Sequence, residues 1–307
     1  MRAAGQATRT TISTNSARSE VRLAITGTTG RVGRALADHL SKEHEVIELP
    51  RTRLDLSDPF SIGQVAGLDF EVLLNPGGLT NLEQCEDEPD LACQVNQFAP
   101  ARLAGICHHL GRKMLHFSTD YVFDGIDARP RREEDTPAPL SVYGRTKEAG
   151  ERGVLAAGGT VLRVSWVFGP EKPAFPDLVL DRALAGEEVA AVADKYSLPT
   201  YTTDLCEWTA GFLAAGCPAG IFHACNGGPV TSWHGIAVEI LAYLKERRGL
   251  DLPPPRPLRL AEMSAFRAPR PRNTAMATER LATVLGKAPR DWREALWEHL
   301  DSRLISR

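Results

Sequence analysis

Tyr143 and Lys147 stand four residues apart, with Ser118-Thr119-Asp120-Tyr121 about two dozen residues upstream. On a helix, positions i and i+4 share a face, so a phenol and an amine at this spacing reach one point. An unperturbed tyrosine, with a pKa near ~10, is a poor general acid or base at neutral pH. A neighbouring ammonium favours the phenolate and brings that pKa down. Thr119 would add a hydroxyl that holds a carbonyl oxygen beside the phenol. Together these groups suit reduction of a carbonyl by hydride transfer. The same pair also arises on ordinary amphipathic helices, so the elements that position it decide its meaning.

Those elements begin with an apolar strand from Val21 to Thr26. It is followed by Gly27, Gly30 and Gly33 of GTTGRVG and a helical run from Arg34 to Leu40. Strand, glycine turn and helix make the setting of a dinucleotide site. The first glycine permits the tight turn, the second lets the backbone approach a pyrophosphate, and the third allows close packing of helix on strand. The first amides of the helix, past Thr29, Arg31 and Val32, then face the phosphate. The spacing is GxxGxxG, and no Gly-Lys-Ser/Thr follows, which excludes a P-loop. The second strand, Glu45 to Leu49, runs into Pro50-Arg51-Thr52-Arg53. An acidic residue at that tip would favour NAD, whereas arginines accommodate a 2′-phosphate. Arg51 and Arg31 therefore point to NADPH, with NADH as the alternative.

GTTGRVG, LDLSD, STDYVFDG, EEDTPAPLSVYGRTKEAGE, LRVSWVFG, LPTYTTDL, GIFHACNGG and APRPRN occur in an order that resembles the dTDP-4-dehydrorhamnose reductase-like proteins. These are a branch of the extended short-chain dehydrogenase/reductase superfamily. The resemblance spans roughly residues 21 to 290. It implies an α/β fold: a Rossmann-type doubly wound parallel sheet with a smaller C-terminal domain closing over a nucleotide-linked sugar. It also implies reduction of a 4-keto-hexose. Carried over by motif, Thr119, Tyr143 and Lys147 become the catalytic residues. Asp55 and Leu56 lie by the adenine, and Ser118 joins the cofactor contacts. Asn75, Pro76 and Gly77 follow the fourth strand and border the cofactor, and Asn96 sits on the helix behind the active site. Asp120, Tyr121, Val122 and Phe123 line the substrate side, joined by Arg163, Trp166 and Arg270.

The chain departs from the family pattern in two loops. NPGGLTNLEQCE has Pro76-Gly77-Gly78 where small alanines and an aromatic are usual. DKYSLPT has Lys195 and Ser197 where the family commonly has Gln and Gly. Both loops shape the pocket, so they bear on substrate more than on chemistry. Two other readings stay open. One is a non-catalytic NADP-binding subunit resembling the regulatory beta subunit of methionine adenosyltransferase, although that relative has Ser and Asn where this chain has Thr119 and Asp120. The other is a nucleotide-sugar epimerase or dehydratase that retains its NAD.

The whole chain sets further bounds. Its 307 residues suffice for one large or two modest domains. A formal net charge of −3 with interspersed signs shows no basic footprint for nucleic acid. No apolar run has the length of a membrane span. Residues 1–20 lack the apolar core of a secretory signal and are expected to be a flexible leader, with an Arg- and Ser/Thr-rich transit peptide as the alternative; the expected location is the cytoplasm. The six cysteines show no CxxC and suggest reduced, mostly buried thiols. No metal site is expected: His108-His109 fall near a helix end, where they favour the dipole. A homodimer is the expected assembly, as the commonest closed arrangement.

Strands are expected at 21–26, 45–49, 71–75, 113–118, 160–166 and 220–224, and helices at 31–41, 90–110, 143–157, 177–185, 203–215, 232–248 and 289–303. Their alternation through the first half signals a parallel sheet with right-handed crossovers. The expected division is a dinucleotide-binding domain over 21–170 with 200–230 returning to it, and a substrate-binding domain over 171–199 and 231–307.

Overall fold

The computed structural model describes residues 20–305, so the expected leader lies almost wholly outside the described residues. Six parallel strands form the central sheet: β1 (Arg22–Thr26), β2 (Glu45–Leu49), β3 (Val72–Asn75), β4 (Lys113–Thr119), β5 (Thr160–Val164) and, much later in the chain, Gly220–His223. Four short strands intervene: β6 (Val167–Phe168), β7 (Ala190–Val192), β8 (Tyr196–Ser197) and β9 (Thr200–Tyr201). Gly220–His223 is therefore β10, followed by β11 (Thr231–Ser232) and β12 (Arg256–Leu258). The sheet order is β10-β5-β4-β3-β1-β2. From β1 the chain moves one way to β2 and the other way to β3. This leaves a crevice beyond the carboxyl ends of β1 and β3, where open α/β sheets bind ligands.

The helices of the first half are α1 (Arg31–Leu40), α2 (Pro59–Gly63), α3 (Leu82–Asp87), α4 (Pro89–Cys93), α5 (Ala99–His109) and α6 (Val142–Ala156). Those of the second half are α7 (Phe175–Leu184), α8 (Thr202–Ala214), α9 (Trp233–Arg248), α10 (Glu279–Leu285) and α11 (Trp292–Ile305). Because side chains alternate along a strand, Leu23 and Ile25 pack on one sheet face with α1 and α8. Ala24 faces the other side, with Leu73, Leu103 and Val154. Burial on both faces is why these strands are continuous apolar runs. A further core gathers Leu180, Ile240, Leu244, Leu296 and Leu300 of α7, α9 and α11.

Some expectations change. Asn75 ends the third strand, not a fourth. The helix expected at 90–110 is α4, a wide π-type turn over Gln94–Phe98, and α5. Pro100 causes the turn, because it has no N–H to donate to the Asn96 carbonyl four residues back. Gly150 of α6 packs on that carbonyl, and a Cβ there would lie 2.2 Å from it. Helices α2, α3 and α10 were not anticipated, and part of the Pro-rich run 252–258 is strand β12, paired with β7.

Candidate active site

Gly27 follows β1 with φ +59, a left-handed conformation that favours glycine, and its N–H donates to Leu49 O at 2.9 Å. A Cβ on Gly33 would lie 2.3 Å from Gly27 O, and one on Gly27 2.9 Å from Gly77 Cα. Helix, glycine loop and the Pro76-Gly77 loop thus meet backbone to backbone. Gly30 is the N-cap of α1 and supplies no side-chain oxygen to its first amides. The first amides of α1 are thus left without a capping side chain, which suits a pyrophosphate.

Beyond this cradle of helix-start amides lies a cavity of about 730 Å³. Gly27, Thr29, Gly30, Arg31, Val32 and Gly33 line one part of it, and Arg51, Asp55, Leu56, Pro76 and Gly77 another. Ser118, Thr119, Asp120, Tyr121, Tyr143, Lys147 and Trp166 line a third part, and the segment from Gly78 to Val95 supplies Leu79, Leu82, Gln84 and Leu91. Arg51 is exposed at the rim, 3.7 Å from Asp55. The Ser57 hydroxyl and amide bond the Asp55 carboxylate and hold its pKa below the usual range. Arg31 is committed elsewhere. Its guanidinium donates to Val167 O at 2.5 Å, Pro173 O at 2.7 Å and Lys172 O at 3.1 Å, so it ties the glycine loop to the segment before α7.

Ser141 caps α6 by accepting from Gly144 N at 3.1 Å, which starts the helix one residue before Tyr143. Gly144 lets that turn approach the chain closely, since a Cβ there would lie 2.3 Å from Tyr121 O. Tyr143 and Lys147 are both buried. Thr119 ends β4; its hydroxyl accepts from Tyr121 N at 3.2 Å and donates to Asp120 Oδ1 at 3.1 Å. Thr119 and Tyr143 line the same cavity, and the Thr119 hydroxyl acts on the phenol's ionisation.

The electrostatics differ from the expectation. Burial dominates at Tyr143 and pushes the phenol above its ordinary value, with the Thr119 hydroxyl working against it. Lys147 does not offset this; its amine is held by Phe117 O at 2.6 Å and lies 3.2 Å from His116 Nε2. Burial lowers Lys147 itself to about 8, opposed by Glu151.

Several residues expected to touch ligand do not line the cavity. Asn75 is fully buried; its Oδ1 accepts from Thr26 Oγ1 at 2.6 Å, and Thr26 in turn accepts from Gly77 N at 3.1 Å. Asn75 thereby holds the loop rather than bordering it. Asn96 is equally buried and braces Leu79, accepting from its N–H at 2.9 Å and donating to its carbonyl at 2.8 Å. Val122 and Phe123 turn away into the core around α7, α9 and α11, because the chain bends at residues 120–122. Arg163 is 1% exposed and forms an ion pair with Glu151 at 2.6 Å, within the sheet–helix interface. Arg270 bonds Glu83 at 2.7 Å and covers the Phe266 ring at 3.9 Å.

Among the residues not assigned a role, His116 and Lys195 lie next to the site. His116 touches Lys147, and the visible signal was a lone imidazole inside the apolar run KMLHFST. Lys195, noted only as a departure, is fully buried; it donates to Pro271 O at 2.8 Å. Asp120 is buried too and receives bonds from Thr274 and Ser197, and burial raises its pKa. Trp166, at φ 41, also borders a second, apolar cavity of about 190 Å³ with Phe175, Trp233 and Trp292.

Residues 21–304 match the RmlD substrate binding domain family. A dTDP-4-dehydrorhamnose reductase of Mycolicibacterium smegmatis is 35% identical over 281 residues, 90% of this chain and 84% of that protein. A Streptomyces antibioticus protein named "Probable dTDP-4,6-dihydroxy-2-methyloxan-3-one 4-ketoreductase" is 37% identical over 286 residues, 91% of this chain and 94% of that protein. Among solved structures, dTDP-4-dehydrorhamnose reductase of Bacillus anthracis in complex with NADP superposes with a TM-score of 0.84 at 27% identity, covering 92% of this chain and 100% of that one. The chain therefore belongs to the RmlD substrate binding domain family, to which it is joined along nearly its whole described length.

Proposed function

We propose that this chain is an NAD(P)H-dependent ketoreductase, favouring NADPH, that reduces the 4-keto group of a nucleotide-linked 6-deoxy sugar or a related ketone of a biosynthetic pathway. One observation carries the reading: a single cavity is lined both by the glycine loop and by Thr119, Tyr143 and Lys147. The relatives' names supply the substrate class, and the exposed Arg51 at the rim suits a 2′-phosphate. In this reading, residues 21–170 and 200–230 bind the cofactor, and 171–199 with 231–307 close over the sugar.

When bound, a reduced nicotinamide supplies the hydride for the ketone carbon. Tyr143 gives its proton to the ketone oxygen. A phenol kept protonated by burial is ready for that role. Lys147 holds the nicotinamide ribose hydroxyls with the proton its protein partners leave free. Asp120, fixed by Thr274 and Ser197, orients Thr119.

The test follows NADPH and NADH oxidation with enzymatically generated dTDP-4-keto-6-deoxy-L-mannose, using wild-type and Tyr143→Phe protein. Turnover that falls at least ~10²-fold in the variant, with NADPH still bound, supports the reading. Equal rates in the two proteins would exclude Tyr143 as the acid.

A further inference from the structure

A row of polar side chains crosses the carboxyl ends of three neighbouring strands, on the face that carries α5 and α6. Thr26 ends β1, Asn75 ends β3 in register with His116 of β4, and Lys147 of α6 meets His116 from above. Each is at most 4% exposed. A chain of close polar contacts joins them: Gly77 N–H donates to Thr26 Oγ1, Thr26 donates to Asn75 Oδ1, Asn75 Nδ2 lies 3.0 Å from His116 Nδ1, and His116 Nε2 lies 3.2 Å from Lys147 Nζ. The loop that borders the cofactor cradle is thereby linked to the lysine that the proposed function puts on the ribose.

We infer that His116 is a positioning residue for Lys147, accepting one ammonium proton at Nε2 so that the proton left over is aimed into the cavity. The inference rests on the reading of Lys147 given above. An ammonium has three protons. Phe117 O takes one at 2.6 Å and His116 Nε2, 3.2 Å away, takes a second. Only one direction remains, and Lys147 lines the cavity.

His116 can accept because its other nitrogen has somewhere to put a proton. Nδ1 lies 3.2 Å from Asn75 O, so the Nδ1–H tautomer leaves Nε2 with a free lone pair. Asn75 Nδ2, 3.0 Å from the same Nδ1, serves the opposite tautomer, in which Nε2–H donates to a neutral amine. The imidazole can follow the protonation of Lys147 without becoming charged. Burial and the Lys147 charge both oppose an imidazolium. The other charges facing the pair are Glu151 on α6 and its partner Arg163 on β5, which has His223 of β10 at 3.5 Å. Glu151 favours the ammonium, whereas Arg163 makes the Glu151 charge less available to it.

The experiment compares His116→Leu, His116→Gln and Lys147→Ala with wild type in the full chain. NADPH affinity is read by fluorescence titration, and the pH dependence of kcat/KM with the keto sugar is measured. Leu offers no acceptor, so the ammonium loses a charge-assisted bond. The alkaline limb should move to lower pH by about one unit, and NADPH affinity at pH 8 should drop roughly tenfold. Gln offers both an acceptor and a donor and should recover most of both effects. Nitrogen-15 spectra of wild-type histidines should show His116 neutral from pH 5 to 9, changing tautomer across the alkaline limb. A folded His116→Leu protein with unmoved limb and affinity overturns the inference while Lys147→Ala is impaired. So does a His116 that becomes imidazolium near the usual ~6.5, which is read without any variant. A harmless Lys147→Ala would overturn the inference and the reading of the site together.

Discussion

Lys195 Nζ lies 4.8 Å from the centroid of the Tyr121 ring and 5.7 Å from that of Trp166, wholly closed to solvent. Both rings line the cavity, so the cation fixes two of its walls from behind. The Asp120 carboxylate supports the charge while burial lowers Lys195 to about 8. Lys195→Met should lower stability, because it removes the cation that favours the Asp120 carboxylate. It should also raise KM for the sugar while NADPH affinity is kept. Thermal melts and steady-state kinetics check both, and unaltered sugar KM would remove Lys195 from the substrate walls.

Lys147 sets the pH range. Its folded-state value of about 8 means that the ammonium is present below that pH and lost above it. If the cofactor ribose requires the ammonium, kcat/KM should be level below about 8 and fall about tenfold per unit above it. Tyr143 cannot produce that limb, because burial raises its phenol. A rate that keeps rising with pH through this range would contradict the assignment.

Thr119→Val keeps the shape at the end of β4 but removes the hydroxyl that bonds Asp120 and lies in one cavity with the phenol. Turnover should drop about 10²-fold, in the range of a lost transition-state hydrogen bond. NADPH binding should stay close to wild type. Stopped-flow single-turnover rates separate this from slow product release, and a full-speed chemical step would exclude the role.

Glu151 and Arg163 are 2% and 1% exposed and joined by two bonds, of 2.6 and 2.9 Å. Removing one partner strands a buried charge. Glu151→Ala should destabilise the fold by about 3–5 kcal/mol, measured by urea unfolding. Lys147 would lose the carboxylate that supports its ammonium, so the alkaline limb should move to lower pH as well.

The six sheet strands were legible because short, mainly apolar runs are bounded by turn residues, most continuously in the central strands buried on both faces. The Tyr143, Lys147 and Thr119 cluster was legible because helix spacing and a strand end are local properties. Arg163 misled because a charge at the end of a buried strand looks the same whether its partner is a ligand or a protein carboxylate. Glu151 lies twelve residues away on another element, and only packing shows that they meet. His116 was hidden for the related reason that its neighbours Asn75 and Lys147 come from separate elements. Helices α3 and α10 escaped because six or seven residues are too few for periodicity to show.

The close approach of Gly150 to the Asn96 carbonyl ties three distant positions into one unit of inheritance. A side chain at 150 would drive into that carbonyl and stand 3.0 Å from Pro100 Cγ. A lineage that replaced the glycine would have to narrow the turn before α5, which Pro100 opposes. Narrowing it would swing the Asn96 carboxamide off Leu79 and loosen the loop beside the cofactor cradle. Gly150, Pro100 and Asn96 should therefore drift together or not at all.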